Sequence, residues 1–452
     1  MEVSLQEILE AREHRAAKQK ELLAQYGMPL VCFTMNIAGP EKDNSNIRWG
    51  FELGCRWLKV QFADLPILFW EEAFLPTGCE GFYVVDAPIA ELKHRAVQIE
   101  DSAPVARLFD IDVLDCDGQK AERTLYGYEQ RKCLLCDQPA HVCGRSRAHS
   151  VEQLQAKTTE LLEQAMVQED CAFIGEAAQK SLLFEVCTTP KPGLVDCRNN
   201  GSHEDMDIFT FMSSAAVLAP YFTQCAAIGR QNRERSPQKV FGLLRFPGKL
   251  AEQSMRKATM GVNTHKGAIF SLGILCAATG YLSHWQRTPE SILNLCKEMT
   301  AGLAERDFAG ITAENARTAG EKLYAKYGIT GVRGQAEEGF PAVLKFGLPV
   351  LENGLDMGIS LNDAGCAALL AILSATTDTN LIHRSDLQTQ QNTAKCIADL
   401  LQQTPYPTKE ILQGLDDDFI RKNLSPGGSA DLLALTYFLH LIQSCNLQEN
   451  MQ

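Results

Sequence analysis

The chain has no excess of positive charge: 43 Lys and Arg stand against 56 Asp and Glu, a formal net charge of -13. A surface that neutralises a nucleic-acid backbone needs the opposite balance, so no nucleic-acid partner is expected, although a local basic pocket for a nucleotide remains open. The longest apolar run, about 267–282, is broken by Ser271, Gly273 and Gly280. It falls short of the roughly 20 residues that a membrane span requires, and no membrane partner is expected. The first residues carry Glu7, Glu10, Arg12, Glu13 and Arg15 with no apolar stretch, so the expectation is no signal peptide and a cytoplasmic protein. Cysteine, by contrast, is plentiful. Sixteen are scattered through the chain and read as reduced thiols. At 452 residues, with 45% hydrophobic and 22% charged residues, the chain is an ordered protein too long for one core.

The first part alternates helix and strand patterns. Residues 4–26 have the thin apolar stripe of a charged helix, and 28–37 read as a buried strand. The strand runs into Asn36-Ile37-Ala38-Gly39-Pro40-Glu41-Lys42, where Lys42 either meets a phosphate or merely solvates the turn. Helices over 47–62 and 88–99 and strands over 81–86 and 107–113 follow. Alternation along the last strand puts Asp110 and Asp112 on one face and Phe109, Ile111 and Val113 on the other. Two such carboxylates can share a divalent cation that holds nucleotide phosphates through an in-line displacement, but strand ends often carry acids without one.

Residues 133–149, CLLCDQPAHVCGRSRAH, are denser in chemistry. Cys133, Cys136, Cys143 and His149 are spaced C-x2-C-x6-C-x5-H, with His141 as a further donor. Thiolates and imidazoles of this kind build tetrahedral zinc sites, yet these intervals match no standard finger and reduced cysteine is common along the whole chain. Arg131, Lys132, Arg145 and Arg147 make a basic cluster in an acidic protein, suited to a diphosphate or an acidic partner.

MNIAGPEK, RLFDIDV and RKCLLCDQPAHVCGRSRAHS together resemble the holo-citrate lyase synthases, the apo-citrate lyase phosphoribosyl-dephospho-CoA transferases. That family transfers phosphoribosyl-dephospho-CoA from 2'-(5''-triphosphoribosyl)-3'-dephospho-CoA to a serine of the acyl carrier subunit of citrate lyase, releasing diphosphate. The resemblance implies Asp110 and Asp112 as catalytic, magnesium-binding residues, with Lys42, Arg107, Arg145 and Arg147 on the substrate. No Gly-Ser of the type that precedes the Asp-x-Asp of many nucleotidyltransferases stands before Asp110; the nearest serine is Ser102.

Beyond a boundary near 165 almost no period-2 pattern remains, and helices are expected over 171–185, 207–228, 267–281, 290–308, 361–375, 390–403 and 431–445. The fold class is therefore a multidomain chain, an N-terminal α/β (α+β) transferase domain over 1–165 and a predominantly α-helical domain over 166–452. Polar loops between the helices collect the candidate site. TTPKPGLVDCRNNGSHEDMD, residues 188–207, offers Asp196, Asp205 and Asp207 for magnesium and His203 for a phosphate or a carboxylate, although Asp205 and Asp207 equally suit a helix start. His265 and Lys266 in NTHKG precede an apolar helix whose free amides suit an anion; the upstream glycines of a Walker loop are missing. Arg333 stands among Gly328, Gly331 and Gly334, Asp378 closes a helix in TTDTN, and Asp431 follows SPGGSA.

EVCTTPKPGLVDCRNNGSHEDMD, NTHKGAIFSLG and NLSPGGSADLLA resemble the triphosphoribosyl-dephospho-CoA synthases, which join ATP to 3'-dephospho-CoA with loss of adenine. The 2'-hydroxyl attacks the ribose C1 of ATP through an oxocarbenium-like state, which calls for a base, proton donation to adenine and a magnesium-held triphosphate. Among the acids of the right type for base and metal work, Asp205 and Asp207 are expected with Asp378 near magnesium and, with His203, at the chemistry; His265, Lys266 and Arg333 are expected on phosphates. Both resemblances in one chain imply consecutive steps of citrate lyase maturation. The alternative is a magnesium-dependent N-glycohydrolase fused to a non-catalytic docking module for the acyl carrier subunit.

Overall fold

The computed structural model describes residues 3–449, with a division into two compact units between Val167 and Gln168. In the first unit helix α1 (Leu5–Tyr26) starts at Ser4 and Glu7, which cap each other's backbone amides, and stops at Gly27, whose φ of 60° leaves the helix. Strand β1 (Leu30–Met35), helix α2 (Ser45–Gln61), strands β2 (Ile67–Ala73) and β3 (Glu80–Val85), helix α3 (Ile89–Glu100) and strand β4 (Phe109–Leu114) follow. The sheet order is β2-β3-β1-β4 with every neighbouring pair antiparallel, so this unit is α+β. Strand β2 escapes the sequence pattern because it is an edge strand with Leu68 and Trp70 pointing outward and exposed, which erases the apolar-in, polar-out alternation.

The two faces of the sheet are divided by side-chain parity. Val31, Phe33, Tyr83, Val85, Phe109, Ile111 and Val113 pack under Phe51 and Leu58 of α2 and Leu92 and Ala96 of α3. Leu30, Cys32, Phe82, Val84 and Leu114 pack against Leu22 and Leu23 of α1. Asp110 and Asp112 share the face of Leu114, while Phe109, Ile111 and Val113 are buried on the other. The strand places two carboxylates side by side and anchors them through the core residues between them.

After the short helix α4 (Ala140–Ser146), helix α5 (Val151–Cys187) runs without a break across the boundary expected near 165, and the helix expected over 171–185 is its C-terminal part. Helices α6 (Ile208–Gln231), α7 (Pro237–Ala258), α8 (Lys266–Tyr281) and α9 (Pro289–Thr300) follow, with nine further α-helices to Glu449 and no strand among the described residues of this unit. The stretch expected as one helix over 290–308 breaks at Gly302, which has φ 70°. Helix α7 has no counterpart in the sequence reading because Pro247 sits inside it. By length and composition α6 alone among the described helices is long and apolar enough to cross a membrane; it packs along α7 and α8. Helices α6 and α8 approach at backbone distance. A Cβ on Gly229 would lie 2.0 Å from the Ala277 carbonyl oxygen, and one on Gly280 would lie 2.2 Å from that of Ala226.

Candidate active sites

On β4 the two aspartates meet a ring of cations. Lys120 pairs with Asp112. Burial and then the adjacent Asp112 push the Asp110 carboxyl up, and Lys120, Arg131 and Lys93 pull it back. A third acid, Glu100 of α3, is buried and accepts the Ile111 amide at 3.0 Å, with Arg131 Nη1 at 3.6 Å and Arg123 Nη1 at 3.8 Å. Arg131 also donates to the carbonyls of Phe109 at 2.7 Å and Arg107 at 2.9 Å, and Lys93 to that of Ile111 at 3.5 Å. Side chains thus take up the orphan backbone groups of an edge strand and bring four cations to its acids. Lys93 and Glu100 stand on one face of α3 among Leu92, Ala96 and Val97. Charges interrupting an apolar stripe were the signal that could have revealed them.

The other cations expected in this unit behave differently. Lys42 donates to the carbonyl of Ile37 within its own turn and is half-buried, which lowers its pKa, so the turn itself holds its ammonium. Arg107 donates to the carbonyl oxygens of Lys132 and Cys133 and braces the cysteine segment. Arg145 and Arg147 are exposed and make no hydrogen bond or ion pair among the described residues. Cys133, Cys136, Cys143 and His149 come together, with their donor atoms all within 4.8 Å of one another; His141 stays outside the group.

The second unit has a cavity of about 770 Å³. Its walls are the loops at 188–207 and 263–267, the Arg333 segment, TTDTN and SPGGSAD, which the sequence offers as separate polar stretches. The first loop is fastened from behind by the fully buried Asp416, which accepts from the Gly193 amide at 2.9 Å, from Asn199 Nδ2 at 2.8 Å and from Arg198 Nη1 at 2.5 Å. Lys191 is buried against Glu185 and donates to its side chain and to its carbonyl oxygen, the latter at 2.7 Å. Asp431 lies in the same wall. Burial, Glu185 and Asp378 hold its carboxyl well above the usual range, and the Ala268 amide bonds to it. Gly267 lets the start of α8 reach this carboxyl; a Cβ there would lie 2.0 Å from Asp431 Oδ2. Three buried polar atoms on the cavity residues Thr264, His265 and Gln335 lack a partner: Thr264 Oγ1, His265 Nε2 and Gln335 Oε1. Orphan polar atoms in a cavity wall are what a polar ligand satisfies.

Several expected residues have other work. Asp207 caps α6, accepting the Thr210 amide at 2.8 Å and its hydroxyl at 2.7 Å, and neither it nor the exposed Asp205 lines the cavity. Asp196 accepts three amides of its own loop, from Lys191, Arg198 and Asn199, so it too is a turn residue. Asp378 faces the cavity, but four donors occupy it: the amides of Asn380, Leu381 and Ser429 and the Ser429 hydroxyl, at 2.7–3.1 Å. A metal role for Asp205, Asp207 or Asp378 therefore finds no free, cavity-facing carboxylate.

His203 lines the cavity between Ser425 Oγ at 2.9 Å and Arg384 Nη2 at 3.1 Å. A guanidinium only donates, so Nδ1 accepts. Burial and then Arg384 lower its pKa, against the pull of Asp205, 3.8 Å away. His265 is buried, with Nδ1 2.7 Å from Ser214 Oγ; burial and then Lys191 press its pKa down to about 3, so it brings a hydrogen bond and no positive charge to a phosphate. Lys266, 3.7 Å from Glu252, and Arg333, 2.8 Å from Asp307, line the cavity with Arg245, Lys249 and Arg384. Glu185 and Lys191 did not stand out in the sequence because both sit in runs that read as helix and connector.

Two family models match the chain in sequence. Residues 3–165 match apo-citrate lyase phosphoribosyl-dephospho-CoA transferase, and residues 171–449 match ATP:dephospho-CoA triphosphoribosyl transferase. The protein CitXG of Haemophilus influenzae is 36% identical over 450 residues, covering 96% of each chain. That of Leuconostoc mesenteroides subsp. cremoris is 35% identical over 461 residues, covering 97% of each. The 2-(5''-triphosphoribosyl)-3'-dephosphocoenzyme-A synthase of Haemophilus ducreyi is 37% identical over 331 residues, all of its own length and 69% of this chain.

Proposed function

The chain belongs to the apo-citrate lyase phosphoribosyl-dephospho-CoA transferases and to the ATP:dephospho-CoA triphosphoribosyl transferases, fused, and from that premise we propose how its residues divide the work. It is a bifunctional transferase of citrate lyase maturation that uses ATP and 3'-dephospho-CoA. The helical unit, 166–452, makes triphosphoribosyl-dephospho-CoA. The α+β unit, 1–165, transfers phosphoribosyl-dephospho-CoA to the acyl carrier subunit. The observation that carries this division is that the two family matches, 3–165 and 171–449, fall on separate compact units.

In the helical unit the 2'-hydroxyl of dephospho-CoA attacks C1 of the ATP ribose, the bond to adenine breaks, the hydroxyl gives up its proton, and the departing adenine takes one up. Asp431 takes that proton. What supports this is its place in the cavity wall, where desolvation and the neighbouring Glu185 and Asp378 raise its proton affinity. Arg245, Lys249, Lys266, Arg333 and Arg384 meet the triphosphate charge, and the orphan atoms of Thr264, His265 and Gln335 bond its polar groups. Asp205, Asp207 and Asp378 do not fit a metal, and no step is assigned to one in this unit.

In the α+β unit a serine hydroxyl of the carrier attacks the phosphorus next to the ribose, and diphosphate leaves. Asp110 and Asp112 fit magnesium, because they stand side by side on one face of β4, where Asp112 raises the proton affinity of Asp110 and a shared cation would offset that repulsion. When bound, the ion would neutralise the triphosphate charge. Lys93, Lys120 and Arg131 hold the phosphates against those acids. Arg145 and Arg147, exposed and unpaired among the described residues, meet the carrier.

The test is the mass of the apo acyl carrier subunit after incubation with the protein, ATP, magnesium and dephospho-CoA. An ATP-dependent gain of phosphoribosyl-dephospho-CoA is the expected result. Adenine released without dephospho-CoA, and no gain on the carrier, would replace this reading with a glycohydrolase fused to a docking module.

A further inference from the structure

We propose that Cys133, Cys136, Cys143 and His149 form a structural zinc site that locks residues 131–149 onto the strand carrying Asp110 and Asp112. The donor atoms are already gathered. Cys136 Sγ lies 3.5 Å from Cys143 Sγ and 3.3 Å from His149 Nε2, and all four donors lie within 4.8 Å. A tetrahedral ion with metal–sulfur bonds of about 2.3 Å and metal–nitrogen bonds of about 2.0 Å spaces its ligands by roughly 3.5–3.8 Å. A disulfide would need about 2.0 Å between sulfurs, and all fifteen described cysteines are free.

The backbone supplies a second, independent observation. The Cys133 amide donates to the Gln138 carbonyl at 2.7 Å and the Ala140 amide to that of Arg131 at 2.8 Å, closing a tight hairpin across the Lys132–Pro139 bridge. Three soft thiolates and an imidazole select zinc over the oxygen-seeking magnesium of the neighbouring acids.

The segment also needs a staple. Between Leu114 and Leu161 the buried hydrophobic residues among those described are Ala121, Cys133 and Cys143 alone. A stretch that buries so little apolar surface does not hold one conformation by packing, and a bound ion supplies what the core does not. What it holds matters for the transferase, and this part rests on Asp110 and Asp112 being the transfer centre. Arg107 grips the carbonyls of Lys132 and Cys133, and Arg131 reaches the carbonyls of Phe109 and Arg107 at the start of β4. The ion would fix Arg131 beside Asp110 and hold out Arg145 and Arg147 on the same clamped segment.

Full-length protein purified under reducing conditions and desalted should carry about one zinc per chain by elemental analysis. Cobalt exchanged into it should show the intense visible bands of a tetrahedral thiolate site. Cys136→Ser and His149→Gln should weaken zinc by more than the 10–100-fold or so that an outer-sphere change costs. Both variants should still release adenine from ATP and dephospho-CoA, which shows an intact helical unit, while losing transfer to the carrier from supplied triphosphoribosyl-dephospho-CoA. Wild-type protein that retains no stoichiometric metal after incubation with zinc and desalting, or a Cys136–Cys143 disulfide in freshly isolated protein, would overturn the site. Zinc-free variants with undiminished transfer would overturn the clamp. Asp110→Asn chains that keep both zinc and full transfer would instead overturn the assignment of the transfer centre.

Discussion

At the scale of single residues, the site depends on which carboxylates keep a free oxygen. Asp378 is buried beside the cavity and Asp431 is half-buried in its wall; four donors occupy Asp378, while the Ala268 amide bonds to Asp431. Asp431→Asn should lower adenine release at least about a hundredfold, within the range of a lost general base, and leave transfer from supplied intermediate unchanged. Asp110→Asn and Asp112→Asn should do the reverse, as separate assays of the two half-reactions would show. His265 sets a pH dependence. Its folded pKa, about 3, lies below the ordinary 6.5, so the unfolded chain binds the proton first. Its contribution to stability is complete above pH 6.5 and is lost as pH falls toward 3, at no more than about 1.4 kcal/mol per pH unit. His203 and His440 shift in the same direction. Urea midpoints at pH 7 and pH 5 should therefore fall with acid, less steeply in His265→Gln.

At the scale of elements, the helix patterns were legible because α8 and the helix Leu361–Ala375 are buried almost all round and read as long apolar stretches. The aspartate pair on β4 was legible because a strand repeats every two residues. Less legible were features that depend on a neighbour. Gly280 in α8 looks like an ordinary weak point of a helix, yet the carbonyl of Ala226 in α6 fills the space where its Cβ would go. Gly280→Ala should raise local helix propensity but destabilise the protein by about 1–3 kcal/mol through overpacking, measured as a lower urea midpoint. Asp207 offered two readings in the sequence, metal ligand or helix start, and its bonds to Thr210 make it the start of α6.

At the scale of the whole molecule, each candidate site is built from residues of one unit, so neither needs the other for its chemistry. Mixing full-length Asp110→Asn chains with full-length Asp431→Asn chains should restore carrier modification. The rate should rise with protein concentration as the intermediate passes through solution. A mixture that never modifies the carrier, although each chain keeps its own half-reaction, would mean that the intermediate is not released. The sequence by itself determined the family, the order of the two activities, the helical character of the second half and the residue types at the chemistry. Those follow from local periodicity and from motifs contiguous in the chain. Tertiary structure alone decided which acids are free and which are caps, that His265 is neutral, that Lys191 belongs to Glu185, and that three cysteines meet one histidine. Each of these depends on burial and on partners that are distant in sequence or brought together by loop conformation, and one-dimensional spacing does not encode either.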